Sequence, residues 1–393
     1  MAQIVGEVRV GSIESERAFD YISRHMIRVL HLCDVAFDYQ TERGIAQLRQ
    51  EAGGTFTSIV QTIGRGGTHP DVPRGALSLR RAGESPDLVH AWGMPGLATA
   101  ALSSGGPIIF SPTRHPGAMD VRWLRAVCSH RNVQIACPTD TCRRALVEHG
   151  VAMERCHLIR PGVEFSRVKR KRDDELRRAM GFMPEDRVTL AVGESTRASD
   201  HRLAAWTAVI LFVLDRRNRL LIWGRGELAD NVHRFADRLE QPGFLVSAEY
   251  TLARAVEFEE LLNVADEVLV TATDPVPTLP IATCMAAGIP IVGVVSETVA
   301  ELLEDRHTAL LSPAGSARKL AQRVLDLRDD SRLAWSIADM ARTEAFEFFA
   351  HTRFVHQFRS LYSQVAANGV ATIEQPEPGP GLRFHSRGAS GAT

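Results

Sequence analysis

Four groups of residues in this 393-residue chain could do chemistry. The first is Asp274 on the proline-rich run ATDPVPTLP, with Pro277 beside it and Thr283 in the small-residue stretch IATCMAAG that follows. An acid on such a loop, at the mouth of a helix, suits contact with a bound ligand. The second is the segment Gly193-Glu194-Ser195-Thr196-Arg197, where a strand ends in a glycine and cations follow at Arg197 and Arg202. The third is Gly224-Arg225-Gly226-Glu227, a strand-to-helix turn or a close approach to a ligand. The fourth is the loop SPTRHPG, in which Arg114 favours an anion and His115 is either a surface histidine or a ligand contact. His90 ends an apolar strand and reads as a core histidine. No cluster has metal-ligand spacing, and neither a Gly-x-Ser-x-Gly elbow nor a phosphate-binding P-loop is present.

The elements that must position these groups alternate strand and helix twice over. IRVLHLC, TFTSIVQTI, SPDLVHAWG, PIIFS, NVQIAC and RCHLIR read as strands of one half; VTLAVG, NRLLIWG, PGFLVSAEY, DEVLVTA, IPIVGVV and the run ending at Leu311 read as strands of the other. This pattern predicts two Rossmann-like domains with parallel sheets. In such sheets, loops at the carboxyl ends of strands face the ligand crevice. The boundaries read as an extension over 1–26, a first domain over 27–165, a charged linker over 166–187, a second domain over 188–350, a helix over 351–370 and a disordered tail over 371–393. The alternating charges of VKRKRDDELRRAMGF predict a solvated helix. ATDPVPTLP, with three prolines, predicts irregular structure throughout. SETVAELLED predicts a helix capped by Ser296. GRGG, at 64–67, reads as a flexible turn rather than a phosphate cradle.

The order and spacing over roughly 27–366 resemble the retaining glycosyltransferases of family 4, which have the GT-B fold. Asp274, Pro277, the run Cys284-Met285-Ala286-Ala287-Gly288 and Pro290 match that family's nucleotide-sugar segment, and Ile159, Pro161, Gly162, Val163 and Glu164 match its inter-domain strand end. The resemblance implies a nucleotide-sugar donor bound mainly to the second domain, an acceptor on the first, and transfer with retention. Asp274 and His115 then take the catalytic positions. Gly193, Arg197, Gly224, Gly226, Pro277, Thr283 and Glu301 take donor-binding positions, with capping or surface placement equally open for Glu301. No metal and no cofactor are implied. The chain departs from the family at the donor. The family's second carboxylate falls at Thr283, its phosphate-binding Arg and Lys at Glu194 and Ser199, and its glycine-rich turn after the first strand is DVAFDYQTERG, with only Gly44. An acid about 5 Å from a phosphate costs roughly 3 kcal/mol at an effective dielectric near 20.

Composition bounds the rest. Net charge is -1, which argues against nucleic acid as a partner. No apolar run reaches a membrane span, the N-terminus lacks signal-peptide character, and peripheral membrane contact stays open. Six scattered cysteines without Cys-x-x-Cys spacing read as reduced thiols of a cytoplasmic protein. Two functions compete. One is sugar transfer to a glycan, lipid or small-molecule acceptor. The other is a catalytically degenerate scaffold that binds or regulates a partner, favoured by the joint loss of both phosphate cations and the ribose carboxylate.

Overall fold

The computed structural model describes residues 26–34, 38–52, 55–63, 86–114, 117–273, 278–313 and 315–373. The N-terminal extension, the GRGG loop and the tail beyond 373 lie outside these residues.

Among the described residues, the strands form two six-stranded sheets. The first contains β1 (Ile27–Asp34), β2 (Phe56–Ile63), β3 (Leu88–Trp92), β4 (Ile108–Ser111), β5 (Val133–Cys137) and β6 (Cys156–Leu158), in the order β2-β1-β3-β4-β5-β6. The second contains β7 (Arg187–Ala191), β8 (Asn218–Ile222), β9 (Leu245–Ser247), β10 (Glu267–Val270), β11 (Ile291–Val294) and β12 (Leu310–Ser312), in the order β12-β11-β10-β7-β8-β9. Every pairing is parallel. The expected α/β architecture of two Rossmann-like domains is the observed one. Its strands are apolar without alternation because helices cover both faces: Val268 and Val270 enter one core layer, Leu269 the opposite one. Strand order reverses between β1 and β3 in the first sheet and between β7 and β10 in the second. The loops leaving those strands therefore open a crevice in each domain.

The first domain carries α1 (Tyr39–Gln50), α2 (Gly93–Ser103), α3 (Ala118–His130) and α4 (Asp140–Glu148). Around the second sheet lie α5 (Asp174–Ala179), α6 (His201–Leu214), α7 (Ala229–Asp237), α8 (Ala248–Thr251), α9 (Phe258–Leu262), α10 (Thr278–Ala287), α11 (Glu297–Leu302), α12 (Ala317–Asp329) and α13 (Ser331–Phe348). The last helix, α14 (His351–Ile373), returns to the first domain, where Phe354, Phe358 and Tyr362 pack with Ile27, Val29 and Phe56. The two chain crossings are tied side by side: the Val163 amide donates to Phe349 O at 2.6 Å and the His351 amide to Val163 O at 3.2 Å.

Three local expectations meet different outcomes. Ser296 caps α11 as its sequence predicts, accepting from the Val299 amide. The proline-rich stretch is not irregular to its end, because α10 starts at Thr278 and takes Pro280 into its first turn. A proline there forfeits no intrahelical hydrogen bond. The charged stretch before β7 is solvated only in part. Arg177 is buried and donates to the carbonyls of Val264 and Asp186, both at 2.5 Å. Leu176, Met180 and Phe182 enter the core beneath it, stitching this segment to the second domain.

Candidate functional site

The loops after β7, β8 and β10 converge at the switch point of the second sheet. The Thr273 amide donates to Ala198 O at 2.9 Å, and the Ser195 amide to Arg225 O at 2.7 Å. Gly226 permits this closeness. It sits at φ +107°, and a Cβ there would lie 2.6 Å from the Ser195 carbonyl oxygen. Gly224, at φ +96°, would put a Cβ 2.3 Å from Ser247 Oγ. The two glycines thus pack one loop on another. The β7 loop is braced from below by His201, whose Nδ1 lies 2.9 Å from Ser195 Oγ and whose Nε2 lies 3.2 Å from Val192 O. Burial drops the pKa of this imidazole to about 4, so it is neutral. Gly193 begins the loop, and Arg197 stands exposed at its rim.

The side chain expected to be the phosphate cation is the acid Glu194, and it is buried. Its pKa is raised to about 7, first by burial and then by the neighbouring Asp38 carboxylate, against the pull of Arg225. Glu194 Oε1 accepts from the amide of Tyr39, which belongs to the first domain, at 3.2 Å. Tyr39 is itself buried, but in the second domain's core. Its ring stands edge-on to Trp223 with centroids 5.6 Å apart and lies 5.5 Å from Phe258. Tyr39 shares a small cavity with Thr283 and Glu259. The next residue, Gln40, accepts from the amides of Thr278 and Leu279 through Oε1, both at 3.0 Å, and so caps α10 from the other domain. Arg43 completes the contact with ion pairs to Glu257 and Glu259.

Two of the expected donor-binding residues are already engaged by protein groups. Thr283 is buried and donates its hydroxyl to Leu279 O at 2.7 Å, with Tyr39 above it. Glu301 reaches across to the first domain. It accepts from the amides of Asp140 and Thr141 at 2.7 and 2.8 Å and from Thr141 Oγ1 at 2.9 Å, with Arg160 at 3.4 Å. It caps α4, which accounts for its carboxylate. His115, Asp274 and Pro277 lie outside the described residues. The structure therefore brings Gly193, Gly224, Gly226 and Thr283 to one crevice, sets Arg197 at its rim, and places Glu301 at a separate brace.

Facing this crevice, the first domain has a cleft of about 420 Å³ open to solvent, at the carboxyl ends of β3, β4 and β5. Trp92, Ile159, Phe354 and Phe358 form apolar walls, and Leu279 of the second domain closes one side. Its polar groups are neutral: Gln40, Thr41, Ser111 and Thr113. Beneath Ser111 lies a fully buried relay. His90 Nε2 is 2.8 Å from Ser111 Oγ and His90 Nδ1 is 2.7 Å from the Tyr362 hydroxyl. Burial holds both His90 and the adjacent His31 well below the usual histidine pKa. His90 is a satisfied core group, and Ser111 is the polar atom it presents to the cleft. The residues missed from sequence are Tyr39 and Gln40. Their signal is the absence of glycines after β1, where bulky side chains stand in place of a tight turn.

Residues 187–330 match the family described as "Glycosyl transferases group 1". The second domain is thus similar to the group 1 glycosyltransferases over these residues. The N-acetyl-alpha-D-glucosaminyl L-malate synthase of Bacillus anthracis is 22% identical over 235 residues, covering 56% of this chain and 58% of that protein. The chain thus matches little more than half the length of this curated relative. Among solved structures, Anabaena Alr3699/HepE in complex with UDP and glucose superposes with a TM-score of 0.72 at 16% identity, covering 86% of this chain and all of that one. Sucrose-phosphate synthase from Thermosynechococcus elongatus gives 0.69 at 14% identity, covering 87% and 100%. At these identities the likeness shows the fold, which is GT-B across both domains. Among the described residues, no helix is long and apolar enough to cross a membrane.

Proposed function

We propose that this glycosyltransferase-fold chain transfers a sugar from a nucleotide-sugar donor to a neutral hydroxyl-bearing acceptor, with retention of anomeric configuration. The observation that carries the reading is the convergence of the β7, β8 and β10 loops at one switch point, opposite a cleft whose described lining has no ionisable side chain. The donor lies against the second domain, its diphosphate toward Arg197 and Arg225 and its nucleoside toward Trp223 and Thr283. The acceptor lies in the first-domain cleft, where Ser111 and Thr113 meet its hydroxyl groups. The anomeric C–O bond breaks and its electron pair leaves with the diphosphate. The acceptor oxygen bonds to the same face of that carbon, and its proton passes to the departing phosphate oxygen. Asp274 and His115 act at the donor sugar. No metal or cofactor takes part in this reading, in which protein cations and helix N-termini hold the leaving charge. The name of the Bacillus anthracis relative contains malate, an anionic hydroxy acid. The uncharged cleft supports a different acceptor class here.

A second reading, a scaffold that no longer binds nucleotides, is favoured by the Glu194 and Asp38 carboxyls in the diphosphate region. Nucleoside diphosphate release from UDP-, GDP- and ADP-sugars, supplied with neutral alcohols or with hydroxy acids, separates the readings. Release stimulated by a neutral alcohol and lost in Asp274→Ala supports transfer. Absence of release with all three donors removes it.

A further inference from the structure

We propose that the nucleoside end of the cleft is an aromatic slot occupied by the chain's own Tyr39, and that a donor binds only after the first turn of α1 withdraws. This rests on the donor reading above and concerns how that site is gated.

Three contacts made by consecutive parts of α1 fill three parts of the crevice. The Tyr39 ring takes the space between Trp223, Phe258 and Thr283. A planar ring with a hydrogen-bonding edge is what a nucleobase would present there. Gln40 Oε1 takes the two leading amides of α10, at 3.0 Å each. Those amides head a ten-residue helix and would otherwise be free to bind an anion. The Tyr39 amide holds Glu194 in place at 3.2 Å. An incoming nucleoside diphosphate therefore meets a side chain, a capped helix and carboxylates.

Withdrawal of α1 reverses each of these. Asp38 and Glu42 leave with the helix, because both ride on its first turn. Arg225 pairs with Glu42 at 3.4 Å and Glu249 at 3.9 Å; it loses the first partner while its guanidinium stays over the Trp223 ring at 4.7 Å. With Arg197 at the rim, two acidic side chains leave the crevice and two guanidinium groups stay to face a phosphate. The fold provides the motion. The domains are joined at the paired crossings Val163–Phe349 and Val163–His351, and a rotation about them that parts Arg43 from Glu257 and Glu259 and α4 from Glu301 carries α1 away as part of the first domain. The departures from the family pattern then form one set. Tyr39 and Gln40 stand where a glycine-rich turn is expected, Thr283 shares the Tyr39 cavity in place of a carboxylate, and Glu194 receives the Tyr39 amide in place of a cation.

The test uses the full chain, as wild type, Tyr39→Ala and Gln40→Ala. UDP, GDP and ADP are titrated into each, and amide exchange is followed at Thr278 and Leu279. The proposal expects one nucleoside diphosphate to bind Tyr39→Ala at least tenfold more tightly than wild type. Exchange at the two amides should be slow in wild type and at least tenfold faster in Gln40→Ala. Where Tyr39→Ala does not fold, Gln40→Ala carries the affinity comparison. Equal affinity in wild type and variants overturns the self-occupied slot and leaves the donor reading standing. Binding of none of the three to any folded variant overturns the donor reading, and the gating with it.

Discussion

Glu194 carries the chemistry that most separates this chain from a plain nucleotide-binding domain. An acid with a folded pKa of about 7, against an ordinary 4.5, holds its proton more tightly when folded. The stability this confers is present in full below pH 4.5 and is lost as pH rises through 7. Its size, on the order of 3 kcal/mol, follows from 1.36 kcal/mol per pKa unit. Asp38, also pushed upward by burial, adds a slope of the same sign. Melting temperature should therefore fall between about pH 5 and pH 8 in wild type and fall much less in Glu194→Gln. Parallel pH profiles for the two proteins would refute this account of Glu194. Gly226 makes a second residue-scale prediction. Alanine there must take φ +107° and meet Ser195 backbone atoms at 2.6 to 2.8 Å. Urea unfolding of Gly226→Ala should show a loss of about 2 kcal/mol or more. A neutral result would mean that the two loops are not packed as described.

At the scale of elements, Glu301 and Arg328 are the braces to remove. Glu301→Ala frees the two leading amides of α4, leaving Thr139 on the Cys142 amide, and should cost about 1 to 2 kcal/mol in chemical unfolding. Thr141→Val should lose less once Glu301 is gone, a non-additivity that a double-mutant cycle reads. Arg328 ties α12 to the second sheet through the buried Glu267, which also accepts from Thr189 at 2.5 Å. Arg328→Ala strands that carboxylate and should cost about 3 to 5 kcal/mol, whereas replacing Arg328 and Glu267 together by methionine should cost far less. Most of this architecture is legible in the sequence, because buried parallel strands are apolar runs such as IVGV and VTLA, and because Ser296 and Gly288 punctuate helices in ordinary ways. Pro280 hid the start of α10, since a proline in a first turn resembles a loop proline. Arg177 hid among neighbouring charges, because its carbonyl partners are supplied by the fold and not by any local pattern.

The whole molecule adds what no local reading contains. Asp38 caps α1, at 2.8 Å to the Thr41 amide. That its first residues enter the other domain depends on how the two sheets face each other. The same holds for Glu301, whose helix lies in one domain and whose hydrogen bonds lie in the other. The candidate site was legible as a region, through the loops at Gly193, Gly224 and Thr283. Its present occupant was not. The central claim is that this crevice serves sugar transfer from a nucleotide-linked donor once α1 moves away. The most direct measurement is nucleoside diphosphate release from a panel of UDP-, GDP- and ADP-sugars by wild type, Tyr39→Ala and the Asp274→Ala, Tyr39→Ala double variant. The account predicts release that rises in Tyr39→Ala for one donor series and disappears in the double variant. Release by none of the three proteins, with all of them folded, would contradict it.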